Sequence, residues 1–140
     1  MSSEVQALSG KRVLIVEDNT LVAKFFRMAL ERAGGCSCIV SEDVPTILGH
    51  AASGEIDLVL LDVSLTNSEW EGRAVNGVEL CRMVKQRAPR HLPVLLATAH
   101  AMSGDRERFL EMSGADGYLE KPVYDSAILV EKVRGLIESA

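Results

Sequence analysis

Asp62 closes the run Leu58-Val59-Leu60-Leu61 within the segment IDLVLLDVSL, residues 56–65. Burying an ionised carboxylate without partners is costly or shifts its pKa upward, so an acid placed there needs something to meet. Candidate companions lie far away along the chain. They are Glu17-Asp18-Asn19 after RVLIV, Thr98 at the end of VLLAT, and Lys121-Pro122 after GYLE. Glu17, Asp18 and Asp62 offer the hard anionic oxygens that suit Mg²⁺. A carboxylate can also act as a nucleophile toward phosphorus, giving an aspartyl phosphate. Lys121 and a cation would offset the repulsion between Asp62 and an incoming phosphoryl group, and the Thr98 hydroxyl could hydrogen-bond a phosphoryl oxygen. Without a metal, three clustered carboxylates would repel one another and raise at least one pKa.

Each of these residues has an ordinary alternative when taken singly. Asp18 could simply help start a helix. Thr98 could be a β-former finishing a strand, and Lys121 a solvated charge before a turn-forming proline. Asp62 is the hardest to explain away, because it ends the most apolar strand.

The elements that must position these residues follow from the hydrophobic pattern. Arg12 to Val16 reads as a buried strand, and Thr20 to Ala33 as a helix with its apolar stripe at Val22, Phe25, Phe26, Ala29, Leu30 and Ala33. Gly34-Gly35 stops that helix. CSCIV is a second strand, and Pro45 sits where a second helix would begin, with its end near Ser53-Gly54. Leu58 to Leu61 is the third strand, and Gly77 opens the helix GVELCRMVKQRA. VLLAT and GYLE are the fourth and fifth strands, separated by a short helix with Ser103 as its N-cap. YDSAILVEKVRGLIESA closes the chain as a helix. Five short apolar strands alternating with five helices imply an α/β, doubly wound parallel sheet covered on both faces. In such sheets ligands bind outside the carboxyl ends of the strands. Four of the five strand ends carry the residues singled out above.

Composition narrows the function classes. A chain of 140 residues with 47% apolar and 25% charged residues is long enough for one domain with a real core. No apolar run approaches membrane-span length. The first ten residues lack a secretory pattern and are expected to form a disordered lead-in to a domain over 11–140. Cys36, Cys38 and Cys81 fit neither a disulfide framework nor a zinc site and read as reduced thiols, in keeping with a cytoplasmic location. A net charge of −5 with no basic block argues against nucleic-acid binding. Nothing after the last helix is expected to form an output domain.

In order and spacing, VLIVEDN, DLVLLDV, LLATAHAM followed by GDRE, and GADGYLEKP together resemble the receiver domain of two-component response regulators, over Lys11 to about Ser139. The resemblance implies a flavodoxin-like receiver fold with strand order 2-1-3-4-5. It implies Asp62 as the phospho-acceptor, and Mg²⁺ held by Glu17, Asp18, Asp62 and the backbone carbonyl of Ser64. Thr98 and Tyr118 would be the switch residues and Lys121 the invariant lysine, with a cis bond to Pro122. Ser64 and His100 occupy positions that influence dephosphorylation.

The implied function is that of a single-domain response regulator, phosphorylated by a histidine kinase or histidine phosphotransfer protein. It would signal by protein contact or phosphorelay, with slow self-dephosphorylation as its only turnover. The downstream protein would bind the face made by the fourth helix, fifth strand and fifth helix, and a phosphorylation-dependent homodimer is a further implied partner. The strongest rival is a pseudo-receiver, a phosphorylation-independent binding module, although such proteins usually lose site residues that this chain keeps. A haloacid-dehalogenase-type phosphatase would need an acid where Ser64 stands. Flavodoxin-like flavin binding would need a phosphate-friendly loop where EDN stands.

One departure from the family pattern is visible. Leu65-Thr66 replace the family's Met-Pro pair, and Gly77 comes 15 residues after Asp62, which lengthens the Thr66–Asn76 loop. Its tryptophan, Trp70, stands among Glu69, Glu71 and Arg73. It reads either as packing for the loop or as an anchor for a partner.

Overall fold

The computed structural model describes residues 6–63, 69–99, 105–123 and 125–140. The expectations placed on Ser64, Thr66, His100 and Ser103 lie outside the described residues.

Five strands form one parallel sheet: β1 (Arg12–Val16), β2 (Ser37–Val40), β3 (Leu58–Asp62), β6 (Val94–Thr98) and β7 (Gly117–Glu120). Their order is β2-β1-β3-β6-β7. This is the doubly wound 2-1-3-4-5 order once two short strands, β4 (Glu69–Trp70) and β5 (Arg73–Ala74), are set aside as a separate hairpin. Period-two alternation explains the unbroken apolar runs. In β3, Val59 and Leu61 face a core shared with α2 (Val44–Ser53) and α3 (Gly77–Arg87). Leu58 and Leu60 face a second core, shared with α1 (Thr20–Ala29) and α5 (Ser126–Ser139). A strand buried on both faces has no polar side to show. The remaining helix, α4 (Asp105–Ser113), sets Phe109 and Leu110 against the first core.

Local signals place the helix ends. The Asn19 side chain accepts a hydrogen bond from the Val22 N–H, and Asp43 accepts one from Thr46, capping α1 and α2. Asn76 and Glu79 form a reciprocal capping box at the start of α3.

Two expectations differ from the structure. The first helix does not continue as α-helix to Ala33, because Leu30–Gly34 form a π-helical turn that ends at Gly35 with φ of +79°. The wider turn shifts the register, so Ala33 is exposed and Gly34 takes the buried position. Residues 6–10, expected within a disordered lead-in, instead form a hydrogen-bonded turn. The Leu8 N–H donates to the Gly34 carbonyl at 2.8 Å, and the Leu8 side chain is only 1% exposed. A single buried leucine suffices, because the buried Gly34 leaves the space it fills.

Candidate functional site

The carboxyl ends of β1, β3, β6 and β7 bring the predicted residues to one edge of the sheet. Glu17 and Asp18 leave β1, Asp62 is the last residue of β3, Thr98 the last of β6, and Lys121 follows β7. Parallel registry aligns these ends: Val16 pairs with Leu61, Asp62 with Ala97, and Thr98 with Glu120. The Lys121 N–H donates to the Thr98 carbonyl at 2.7 Å, which holds the lysine's backbone to the neighbouring strand. The Lys121-Pro122 bond is cis.

Glu17, Asp18 and Asp62 each present an oxygen within 4.8 Å of the others. Glu17 and Asp62 are both 4% exposed and Asp18 is half-buried. Lys121 reaches across the group. Its Nζ donates to Glu17 Oε1 at 2.8 Å and lies 3.4 Å from Asp62 Oδ1. The Asn19 backbone N–H donates to Glu17 Oε2 at 3.2 Å, fixing the second oxygen of that carboxylate.

The electrostatics reflect an excess of acid. Burial pushes the Glu17 carboxyl above its ordinary value; the Lys121 hydrogen bond opposes the rise and the Asp62 charge adds to it. For Lys121, burial pulls downward, but the Glu17 hydrogen bond and the Asp62 charge outweigh it, and the ammonium ends above its ordinary value. One firmly charged lysine therefore stands among three acids. That set fits a hard divalent cation, which favours carboxylate oxygens and would relieve the burial of Glu17.

Thr98 is fully buried, and strand alternation puts it on the sheet face of Leu96 and Tyr118. Tyr118 is 5% exposed and its ring stacks on Phe109 of α4, with centroids 6.4 Å apart and planes 17° apart. Tyr118 thus belongs to the core on the α4 side, whereas Lys121 and Glu17 sit over the sheet edge.

The lengthened segment after Asp62 contains the antiparallel hairpin β4–β5, in which Trp70 pairs with Arg73. Its two-residue turn is Glu71-Gly72, with φ of +52° and +80°, the conformation that matches the twist of a tight hairpin. Trp70 is half-buried against the α2–α3 core, and the Arg87 guanidinium lies 5.5 Å from its ring centroid. Trp70 thus packs the hairpin onto the α2–α3 core.

Sequence reasoning missed two features of the site. Lys121 sits closer to Glu17 than to Asp62, a contact across 104 positions that no local pattern signals. The second is an apolar groove of about 550 Å³ beside Lys121, lined by Leu21, Val22 and Phe25 of α1 with Pro122 and Val123. Leu21 is 79% exposed there. The solvent-facing leucine near the start of α1, outside the core stripe, was the available signal.

Comparison with known proteins places this geometry. The profile of the response regulator receiver domain matches residues 13–134. The polar-differentiation response regulator DivK of Brucella ovis is 37% identical over 114 residues, spanning 81% of this chain and 85% of that protein. A CheY-like response regulator receiver domain protein from Methanospirillum hungatei superposes with a TM-score of 0.74 at 26% identity, covering 92% of this chain and 94% of that one. The receiver domain of a sensor histidine kinase from Pseudomonas aeruginosa gives a TM-score of 0.75 at 27% identity, covering 93% and 99%. That crystal structure has a magnesium ion coordinated in its active-site cleft.

Proposed function

The chain belongs to the response regulator receiver domain family, and from that premise we propose that it accepts a phosphoryl group on Asp62 from a histidine kinase or histidine phosphotransfer protein. The observation that carries this reading is the meeting of Asp62, Glu17 and Asp18 within 4.8 Å, with Lys121 Nζ 3.4 Å from Asp62 Oδ1. Glu17, Asp18 and Asp62, with the carbonyl of Ser64, would hold Mg²⁺. Bound there, the ion supplies positive charge that offsets the carboxylates and the phosphoryl oxygens.

The chain's own residues do the rest. An Asp62 carboxylate oxygen forms the new O–P bond as the N–P bond of the donor phosphohistidine breaks, and the bonding pair returns to the imidazole nitrogen. Lys121, held by Glu17, keeps an ammonium beside the acceptor oxygen. The Thr98 hydroxyl hydrogen-bonds a phosphoryl oxygen, and Tyr118, stacked on Phe109, passes the change to the α4–β7–α5 face. A downstream protein or a second copy of the chain reads that face. The apolar groove beside Lys121 suits the apolar side of a donor helix. Ser64 and His100 tune the slow loss of the phosphoryl group, which is the only turnover assigned to the chain. A cytoplasmic setting suits these partners, and among the described residues no helix is long and apolar enough to cross a membrane.

The experiment is incubation with acetyl phosphate and Mg²⁺, followed by intact-mass measurement. A single phosphoryl adduct is expected in the native chain, absent from Asp62→Asn and absent when EDTA replaces Mg²⁺. An unmodified native chain, with this donor and with a cognate kinase, would instead support a phosphorylation-independent binding module.

A further inference from the structure

Glycine usually stands where the backbone takes a positive φ, and Gly10, Gly35, Gly54, Gly72 and Gly114 all do so here. Gly77 does not. Its requirement is one of space. A Cβ at Gly77 would lie 2.3 Å from the carbonyl oxygen of Asp62, 2.6 Å from the Cα of Val63 and 2.9 Å from the Val63 carbonyl oxygen. Side chains can give way, as Leu8 could at Gly34 or Leu136 at Gly117. Among the described glycines, only Gly77 would meet main chain. The obstructing atoms belong to Asp62 itself and to the residue after it. Moreover, the Gly77 N–H donates to the Val63 carbonyl at 3.1 Å.

We infer that Gly77 is a positioning residue for the acidic site: the absence of a side chain lets the first turn of α3 clamp the main chain of Asp62 and Val63, the point at which the chain leaves the sheet. The reading of Glu17, Asp18 and Asp62 as Mg²⁺ ligands underlies this inference. The clamp matters because the excursion between β3 and α3 is long. Thirteen residues, 64–76, leave from Val63 and return at Gly77, and the Gly77–Val63 hydrogen bond closes their neck. The hairpin inside the excursion is thereby kept from pulling on Asp62. Groups that orient ligands in this way set metal affinity as the ligands themselves do.

The test is calorimetric titration of Mg²⁺ into the native chain, Gly77→Ala and Asn76→Ala. Gly77→Ala should raise the Mg²⁺ dissociation constant about tenfold or more. Asn76→Ala removes the capping box of the same helix without filling the clamp. It should lower the melting temperature while leaving the dissociation constant within about twofold. If Gly77→Ala folds and binds Mg²⁺ within about twofold of the native chain, the inference is overturned. If that variant does not fold, amide exchange on the native chain decides. The Gly77 N–H should gain protection when Mg²⁺ is added, whereas the Glu79 N–H, capped by Asn76, should not. Unchanged protection at Gly77 would overturn the clamp. A native chain that binds no Mg²⁺ at all defeats the reading of the acidic cluster, a result distinct from equal binding by native chain and variant.

Discussion

The two ends of the sheet each carry a charge cluster, and they are built on opposite principles. At the amino edge, Asp116 accepts from Lys85 Nζ at 2.5 Å and from the Val94 N–H at 2.9 Å, with His91 Nε2 at 3.2 Å. One acid is met by a lysine, a main-chain donor and an imidazole, so its demand is filled from within the chain. At the carboxyl edge Lys121 meets Glu17 and Asp62, both almost wholly buried, and Asp18 brings a third carboxylate within 4.8 Å of them. The first cluster ties the entry of β6 to α3 and to the chain just before β7, and asks for nothing more. The second gathers three carboxylates within 4.8 Å of one another, two of them almost wholly buried. Function is to be sought where acids are crowded together at a buried site.

Exchanging the lysines breaks the comparison most sharply. Lys121→Ala should slow acetyl-phosphate labelling of Asp62 by about 100-fold or more, measured as initial rate at saturating Mg²⁺. Lys85→Ala should leave that rate unchanged. Equal effects from the two substitutions would erase the distinction. At the amino edge, Asp116→Asn should cost about 1–3 kcal/mol in urea unfolding and leave Mg²⁺ affinity as it was.

The smallest expected effect has the opposite sign. Because the folded chain raises the Glu17 pKa, it holds that proton more tightly than the unfolded chain does. The ionised side chain therefore lowers stability above its folded pKa, and the penalty is relieved as pH falls through that value. Glu17→Gln should raise the metal-free melting temperature at neutral pH by about 2–4 °C and abolish the further rise given by Mg²⁺. The metal-free gap between variant and native chain should narrow as the pH is lowered through the carboxylate range. A metal-free Glu17→Gln less stable than the native chain would place Glu17 with Asp116, as a residue already satisfied.

Much of this could be read from the sequence, for identifiable reasons. The strands were legible because burial on both faces leaves continuous apolar runs, and the site residues because they follow those runs directly. Ala33 was misplaced because a 3.6-residue period cannot foresee a π-helical turn. Leu8 was missed because the few apolar residues of so short a segment set no periodicity. The hairpin was missed because its strands are two residues long and its turn, Glu71-Gly72, lacks the Asn-Gly or Asp-Gly signature. That Lys121 prefers Glu17 over Asp62 depends on how two strand ends are spaced, which only the folded sheet decides.

The neck between Val63 and Gly77 has a consequence for how this fold can vary. Two chain ends 3.1 Å apart at a hydrogen bond form a socket, and what is plugged into it changes the closure entropy only slowly with length. The stretch inside the segment, between Ser64 and the Asn76 cap, can lengthen or shorten while the sheet stays in register. The same socket would accept a grafted epitope or an inserted reporter, placed beside the acidic cluster without a new junction in the core.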